Sequence, residues 1–251
     1  MNILLIQPSF KNAEKAYPLG ISQLGAVLKS KGHKVFAVDL SFVRAEEIKN
    51  IISNEKIEII SVSADCYGIS LICYSLASVI PLSRQIKQLF SLPMIISGPY
   101  AAAFKEDLLR SHRDCFDYLI VGQSEYAFLD LIEAIEGNLS FSSVKNLIYF
   151  SEGKIISNDI GSSENNLDDF PFPDRELFPL AKYQGMFTKR KKYTQIVTSW
   201  GCNSRCSYCP EPKFHGNWRG RSVENIIEEI KLISNRYGIE EFHIEDSNFF
   251  G

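Results

Sequence analysis

The chain has 251 residues, 45% of them hydrophobic and 23% charged, with a formal net charge of −3. That is globular composition, which excludes a disordered or fibrous chain and leaves no basic surplus for nucleic acid. The one basic run, Lys189 to Lys192, is short and reads as a solvated loop.

Met1-Asn2-Ile3-Leu4-Leu5-Ile6 has no basic n-region and no cleavage site, so it reads as a first strand and not as a signal peptide. Further strands are expected at 34–39, 58–63, 94–97 and 118–121. Val, Ile and Leu dominate them, as in parallel strands buried on both faces. Helical patterns lie between. Residues 19–31 place Leu24, Val27 and Leu28 on one face, with Gly32 as the stop. Residues 125–136 place Phe128, Leu129, Ile132 and Ile135 on one face, with Gly137 as the stop. Residues 66–83 carry no charge, but Gly68, Pro81, two tyrosines and several serines make them a buried helix kinked at Pro81, not a membrane span. Strands alternating with helices predict an α/β fold, an open, doubly wound parallel sheet of Rossmann-like type over residues 1–140.

The pattern then changes. Residues 146–150 and 154–157 flank Ser151-Glu152-Gly153 and read as a hairpin. Residues 159–174 are rich in Asn, Asp, Ser and Gly and contain Pro171 and Pro173, so 141–192 reads as hairpin and linker. A third region, 193–251, opens with a strand at 194–199. A helix at 223–237 follows, with Ser222 as N-cap, and then a strand at 240–245.

Between that first strand and the helix lies Cys202-Asn-Ser-Arg-Cys206-Ser-Tyr-Cys209. Three thiolates on one short loop can ligate three irons of a [4Fe-4S] cluster, leaving the fourth iron open to an exogenous ligand. A structural zinc site is the alternative, because His215 could complete a Cys3His tetrahedron. Cys66, Cys73 and Cys115 stand alone and read as small core residues. Clustered cysteines in a long chain without a secretory signal fit a reducing, cytoplasmic compartment. His33, His112 and His243 read as surface or strand-end residues, and no hydrolase triad stands out.

The cysteine motif resembles that of the radical S-adenosylmethionine (SAM) superfamily, with Tyr208 matching the aromatic residue before its last cysteine. The resemblance implies that Cys202, Cys206 and Cys209 hold the cluster and that SAM chelates the open iron. One-electron cleavage then yields a 5′-deoxyadenosyl radical. Trp218-Arg219-Gly220-Arg221-Ser222-Val223-Glu224 and residues 242–249 are similar to stretches of the cobalamin-binding branch of that superfamily. There an acidic pair, here Glu245 and Asp246, faces SAM. Carboxylates at a strand's carboxyl end suit an ammonium group.

The first 140 residues resemble the same branch. Pro18-Leu19-Gly20 opens the first helix. The strand ending at Ser63, the loop Ser97-Gly98-Pro99-Tyr100 and the turn Gly122-Gln123-Ser124-Glu125 stand where that branch binds its corrinoid. The resemblance thus implies cofactor contacts from Pro18, Gly20, Ser63, Gly98, Gly122 and Glu125, beside Tyr208, Glu245 and Asp246 at SAM. The chain departs from the pattern at Trp200, at Gln123-Ser124 and at Pro99. It lacks Asp-x-His-x-x-Gly, so cobalamin, where bound, has no histidine of the protein as its lower ligand. After Gln7 comes Pro8-Ser9-Phe10, not the glycine-rich turn of a nicotinamide site.

The expected function is therefore radical SAM chemistry, with methyl transfer or a radical rearrangement on an unnamed substrate. The alternatives are a non-catalytic ligand-binding fragment and the zinc-stabilised protein. Expected partners are a small-molecule or peptide substrate and a reductant such as flavodoxin or ferredoxin, with no membrane and no nucleic acid. Only 58 residues follow Tyr193, whereas a full eight-unit barrel takes about 250. Residues 193–251 are thus expected to be the start of a partial TIM-type barrel, truncated at its C-terminal side. The chain alone is expected not to be a competent radical enzyme, a second polypeptide supplying the rest.

Overall fold

A computed structural model describes residues 1–8, 16–64, 72–123, 125–161, 166–183, 188–209 and 211–250. The chain divides into two compact units, one of Met1–Lys11 with Val27–Ser162 and one of Asn12–Ala26 with Ser163–Gly251.

The first unit is built on one sheet. Strands β1 (Asn2–Gln7), β2 (Lys34–Asp39), β3 (Ile59–Ser63), β4 (Met94–Ser97) and β5 (Tyr118–Ile120) are parallel, and β6 (Leu147–Ser151) and β7 (Lys154–Ser157) add antiparallel. The order is β2-β1-β3-β4-β5-β6-β7. Parallel neighbours need crossovers, and α1 (Leu19–Ser30), α2 (Ala45–Asn54), α3 (Ile72–Phe90), α4 (Pro99–Ser111) and α5 (Glu125–Ile135) run between and after the strands. Leu4, Ile6, Val38, Ile60, Val62, Ile96 and Leu119 on one sheet face pack with Ile48, Ile52, Val79, Ile86 and Leu109 of the helices. The alternate positions Ile3, Leu5, Ile59 and Ile95 are buried as well. Both faces are thus apolar, which is why these strands read as unbroken hydrophobic runs.

Two expectations change here. The predicted hairpin is not part of a linker: Leu119 pairs with Ile148 and Ile120 with Leu147, so the sheet has seven strands and the unit runs past residue 140. Ile148 enters the main core, and that burial draws the hairpin onto the edge of β5. Helix α1 also crosses the division, its first half clustering with the second unit. The buried helix expected over 66–83 is described from Ile72 onward and passes through Pro81. Its beginning, with Cys66, lies outside the described residues, and nothing is described of the Cys73 side chain. Cys115 is fully buried, and burial pushes its thiol up to about 12, as fits a core residue.

The second unit contains β8 (Tyr193–Ile196), β9 (Ser199–Trp200), the short α6 (Glu211–Phe214), β10 (Arg219–Gly220), α7 (Val223–Tyr237) and β11 (Glu241–Ile244). β8 and β11 pair in parallel, Tyr193 opposite Glu241 and Ile196 opposite Ile244, a βαβ unit through α7. Ser222 caps α7 by accepting from the Asn225 N–H, and Gly238 ends it in a left-handed conformation. Ile233 and Ile230 of α7 pack on Ile196, Ile239 and Phe242. The strand expected over 194–199 breaks after Ile196. Its last residue begins β9, which turns away to pair with β10.

Residues 166–183 wrap this unit. The Tyr17 ring stands edge-on to Phe178 and Tyr183 at 6.1 and 5.3 Å. Its hydroxyl is buried, which raises it to about 12. Gln23 donates to the Pro171 carbonyl at 2.8 Å, and the Asp174 N–H donates to the Ser22 carbonyl. The wrap therefore carries Arg175 into the interior, where its guanidinium meets Glu229 of α7 at 3.2 Å. Among the described residues, no helix is long and apolar enough to cross a membrane.

Candidate cofactor sites

The cysteine loop leaves the carboxyl end of β9 and is exposed along nearly its whole length, with Tyr208 at 82%. Cys202, Cys206 and Cys209 are free thiols. Among the described residues, no three His, Cys, Asp or Glu side chains are gathered closely enough to hold a metal ion. The thiols share a loop and not a point. A turn closed by the Cys209 N–H on the Cys206 carbonyl is its main internal constraint, so the three sulfurs can converge without breaking a strand or helix. The donor set, three thiols within eight residues and no disulfide, fits an iron–sulfur cluster with one open iron.

The start of the loop is held tightly. Gly201 sits at φ +80°, and a Cβ there would lie 2.3 Å from the Asn217 carbonyl oxygen. The Cys202 N–H donates to the Gly216 carbonyl, and the Trp218 N–H to the Asn203 side chain. Sequence reading passed over Gly201, although a glycine between a strand and the first ligand is the signal of a close backbone approach. Gly201→Ala is expected to cost at least about 1–3 kcal/mol from the backbone conformation alone, to displace Cys202, and to lower iron uptake. Iron content per folded chain measures it, and uptake equal to wild type would show that the loop start need not be fixed.

The acidic pair divides its work. Asp246 accepts from the Thr198 N–H at 2.7 Å, from the Thr198 hydroxyl, and from the Ser199 hydroxyl at 2.8 Å. Its carboxylate thus ties the end of β11 to the segment that enters the cysteine loop. These bonds give it a positioning task at the entrance to the loop. Glu245 is exposed, and one of its oxygens accepts from Gln195, which leaves it the better candidate for an ammonium group. His215, the fourth ligand of the zinc alternative, is held elsewhere: its Nδ1 is 2.7 Å from Glu211 and its ring stacks on Trp200.

In the first unit the expected residues gather at the carboxyl edge of the sheet. Asp39, Gln7, Ser63 and Ser97 are the last residues of β2, β1, β3 and β4. Asp39 is in register with Gln7 and Ser63 with Ser97, and Ile6 opposite Val62 puts Gln7 beside Ser63. All four are buried. Gly98 follows at φ +105°, so close to the next strand end that a Cβ would meet the Ala64 backbone at 2.9 Å. Gly122 and Glu125 follow β5 at the same edge, Glu125 buried in the first turn of α5. Ser124 lies outside the described residues. Pro18, buried, precedes α1, and Gly20, exposed, is its second residue; both cluster with the second unit.

A sheet ordered 2-1-3-4-5 binds its ligand at the carboxyl ends where β1 and β3 part, and a three-thiol loop after a strand defines a cluster-binding unit. Together they describe a two-part cofactor protein. Residues 196–249 match the sequence model of the Radical SAM superfamily. It is 27% identical to an uncharacterized methyltransferase of Pyrococcus horikoshii, over 99% of this chain and 54% of the relative. It superposes on the radical SAM methyltransferase TsrM of Kitasatospora setae, solved with cobalamin and a [4Fe-4S] cluster bound. The TM-score is 0.72 at 18% identity, over 99% of this chain and 48% of that one. The cobalamin-dependent SAM radical enzyme OxsB, solved with aqua-cobalamin and SAM, gives a TM-score of 0.77 at 20% identity over all of this chain and 34% of that one. The chain thus spans about half the length of the curated relative, or less of the solved ones.

Proposed function

We propose that this chain binds a [4Fe-4S] cluster through Cys202, Cys206 and Cys209, takes SAM at the open iron, and carries a corrinoid at the carboxyl edge of its first unit. Methyl transfer to an unactivated carbon is the favoured reaction, on the strength of the methyltransferases among its relatives. The observation that carries the reading is the exposed loop of three free thiols, anchored at Gly201 and through Asp246. When bound, the cluster and SAM supply one-electron cleavage of the sulfonium, and the corrinoid supplies a methyl carrier. The chain's own residues position. Asp246 and Gly201 set the direction in which the thiols leave β9. Glu245 offers a carboxylate to the SAM ammonium group, and Tyr208 places an aromatic face beside Cys209.

A reductant such as flavodoxin or ferredoxin, a small-molecule or peptide substrate, and a reducing cytoplasmic setting belong to the same proposal. Anaerobic reconstitution tests it. The expected result is about four irons and four sulfides per chain, with an electron paramagnetic resonance spectrum of the reduced cluster that changes when SAM is added. Stoichiometric zinc with no iron would favour the zinc-stabilised alternative and sink this one.

A further inference from the structure

We propose that Gln7 is a ligand-recognition residue of the first unit, its side-chain carbonyl oxygen accepting a hydrogen bond from an N–H or O–H donor of the bound corrinoid. The inference rests on the corrinoid reading above and goes beyond it to one residue and one polarity. Gln7 closes β1, the strand from which the chain crosses to β2 on one side and beside which β3 lies on the other. It therefore stands at the point where the strand order reverses, the place where an open parallel sheet takes a ligand. The strand before it is apolar from Ile3 to Ile6. A glutamine there has no packing reason.

Gln7 is 3% exposed, and its Oε1 has no hydrogen-bond partner among the described residues. Its neighbour across β2 cannot serve, since a carboxylate only accepts, and Asp39 already holds the Ser41 N–H at 2.7 Å. Buried acceptors in native chains are nearly always satisfied, and one that is not asks for a donor from elsewhere. The polarity narrows the ligand. A phosphate offers only acceptors and would leave this Oε1 unsatisfied. A corrinoid is rich in neutral donors: primary amide arms and a linking amide N–H around the macrocycle, and a ribose hydroxyl in its nucleotide.

The test uses the purified chain, wild type and Gln7→Met, which keeps the volume and removes the acceptor. Each is titrated with hydroxocobalamin and with cobinamide, which keeps the amide arms and lacks the nucleotide, and binding is followed by the visible spectrum. The ligand-free melting temperature is measured alongside. Gln7→Met is expected to bind cobalamin roughly tenfold to a hundredfold more weakly, the range an unmet buried partner implies. Its ligand-free melting temperature should be unchanged or higher, because the substitution removes an unpaired group. A similar loss with cobinamide places the donor on an amide arm, and a loss with cobalamin alone places it in the nucleotide tail. Equal affinities of the two proteins for both corrinoids would overturn the role of Gln7 while leaving the corrinoid reading intact. So would a lower melting temperature with unchanged affinity, which marks a structural glutamine. A wild-type chain that binds neither corrinoid would overturn both.

Discussion

Replacing Cys202, Cys206 or Cys209 singly by alanine is expected to abolish cluster retention while leaving the fold of the metal-free chain intact. The two halves of that expectation have separate causes. A site-differentiated cluster needs three thiolates, and two cannot hold it through purification. The fold does not depend on these side chains. All three cysteines are at least partly exposed, and the loop start is fixed by the close approach at Gly201, the Cys202 N–H and the Asn203 side chain, with one long Ser204 N–H contact to the Cys202 sulfur as the thiols' share. Exposed substitutions of that kind change stability by no more than about 0.5 kcal/mol. Iron and sulfide analysis after anaerobic reconstitution, with a melting curve on the same metal-free samples, reads both. Three variants that all keep wild-type iron would remove these cysteines from the cluster. Loss of iron accompanied by unfolding of the metal-free chain would mean the thiols serve the fold instead.

The order of legibility in this chain follows the range of the interactions. The five parallel strands were visible because each is buried on both faces, so the apolar run is local. Ser222 announced the start of α7 for the same reason, since a cap is made within a few residues. The hairpin was visible as a hairpin, but its place in the sheet was not. The pairing of Leu119 with Ile148 joins segments some thirty residues apart, and an alternating run looks the same whether or not a sheet edge receives it. The three cysteines were legible because metal-ligand spacing is a sequence property. Their supports were not. Asp246 stands at a strand end in the sequence, and its three hydrogen bonds to Thr198 and Ser199 are what show it bracing the loop entrance. Arg175 looked like one charged residue in a polar linker, and nothing nearby in sequence signals that it is buried.

That arginine leads to the largest stability effect expected in the second unit. Arg175 and Glu229 are each 2% exposed, and Arg221 is 11% exposed. Glu229 receives Arg175 at 3.2 Å on one oxygen and Arg221 at 2.6 Å on the other. The two guanidiniums also donate to β8 and the residue after it: Arg175 to the Thr194 hydroxyl and the Gln195 carbonyl, Arg221 to the Val197 carbonyl. One carboxylate on α7 thus holds two cations that grip the strand leading toward the cysteines. Glu229→Ala removes the carboxylate that both guanidiniums reach and leaves two poorly solvated cations. Breaking a buried pair from one side costs about 3–5 kcal/mol. For a unit of roughly a hundred residues that is a fall in melting temperature of roughly 10–30 °C. Both tryptophans of the chain, Trp200 and Trp218, lie in this unit, so their fluorescence follows its unfolding separately from the seven-stranded sheet. Glu229→Gln keeps hydrogen-bond acceptance and loses the charge, and should fall between wild type and alanine. Replacing Arg175, Arg221 and Glu229 together by apolar residues of similar volume should destabilise less than Glu229→Ala alone, because no unpaired charge remains. A tryptophan-monitored loss below about 1 kcal/mol for Glu229→Ala, the value expected of an exposed pair, would show that water reaches the two arginines and that the network does not hold β8.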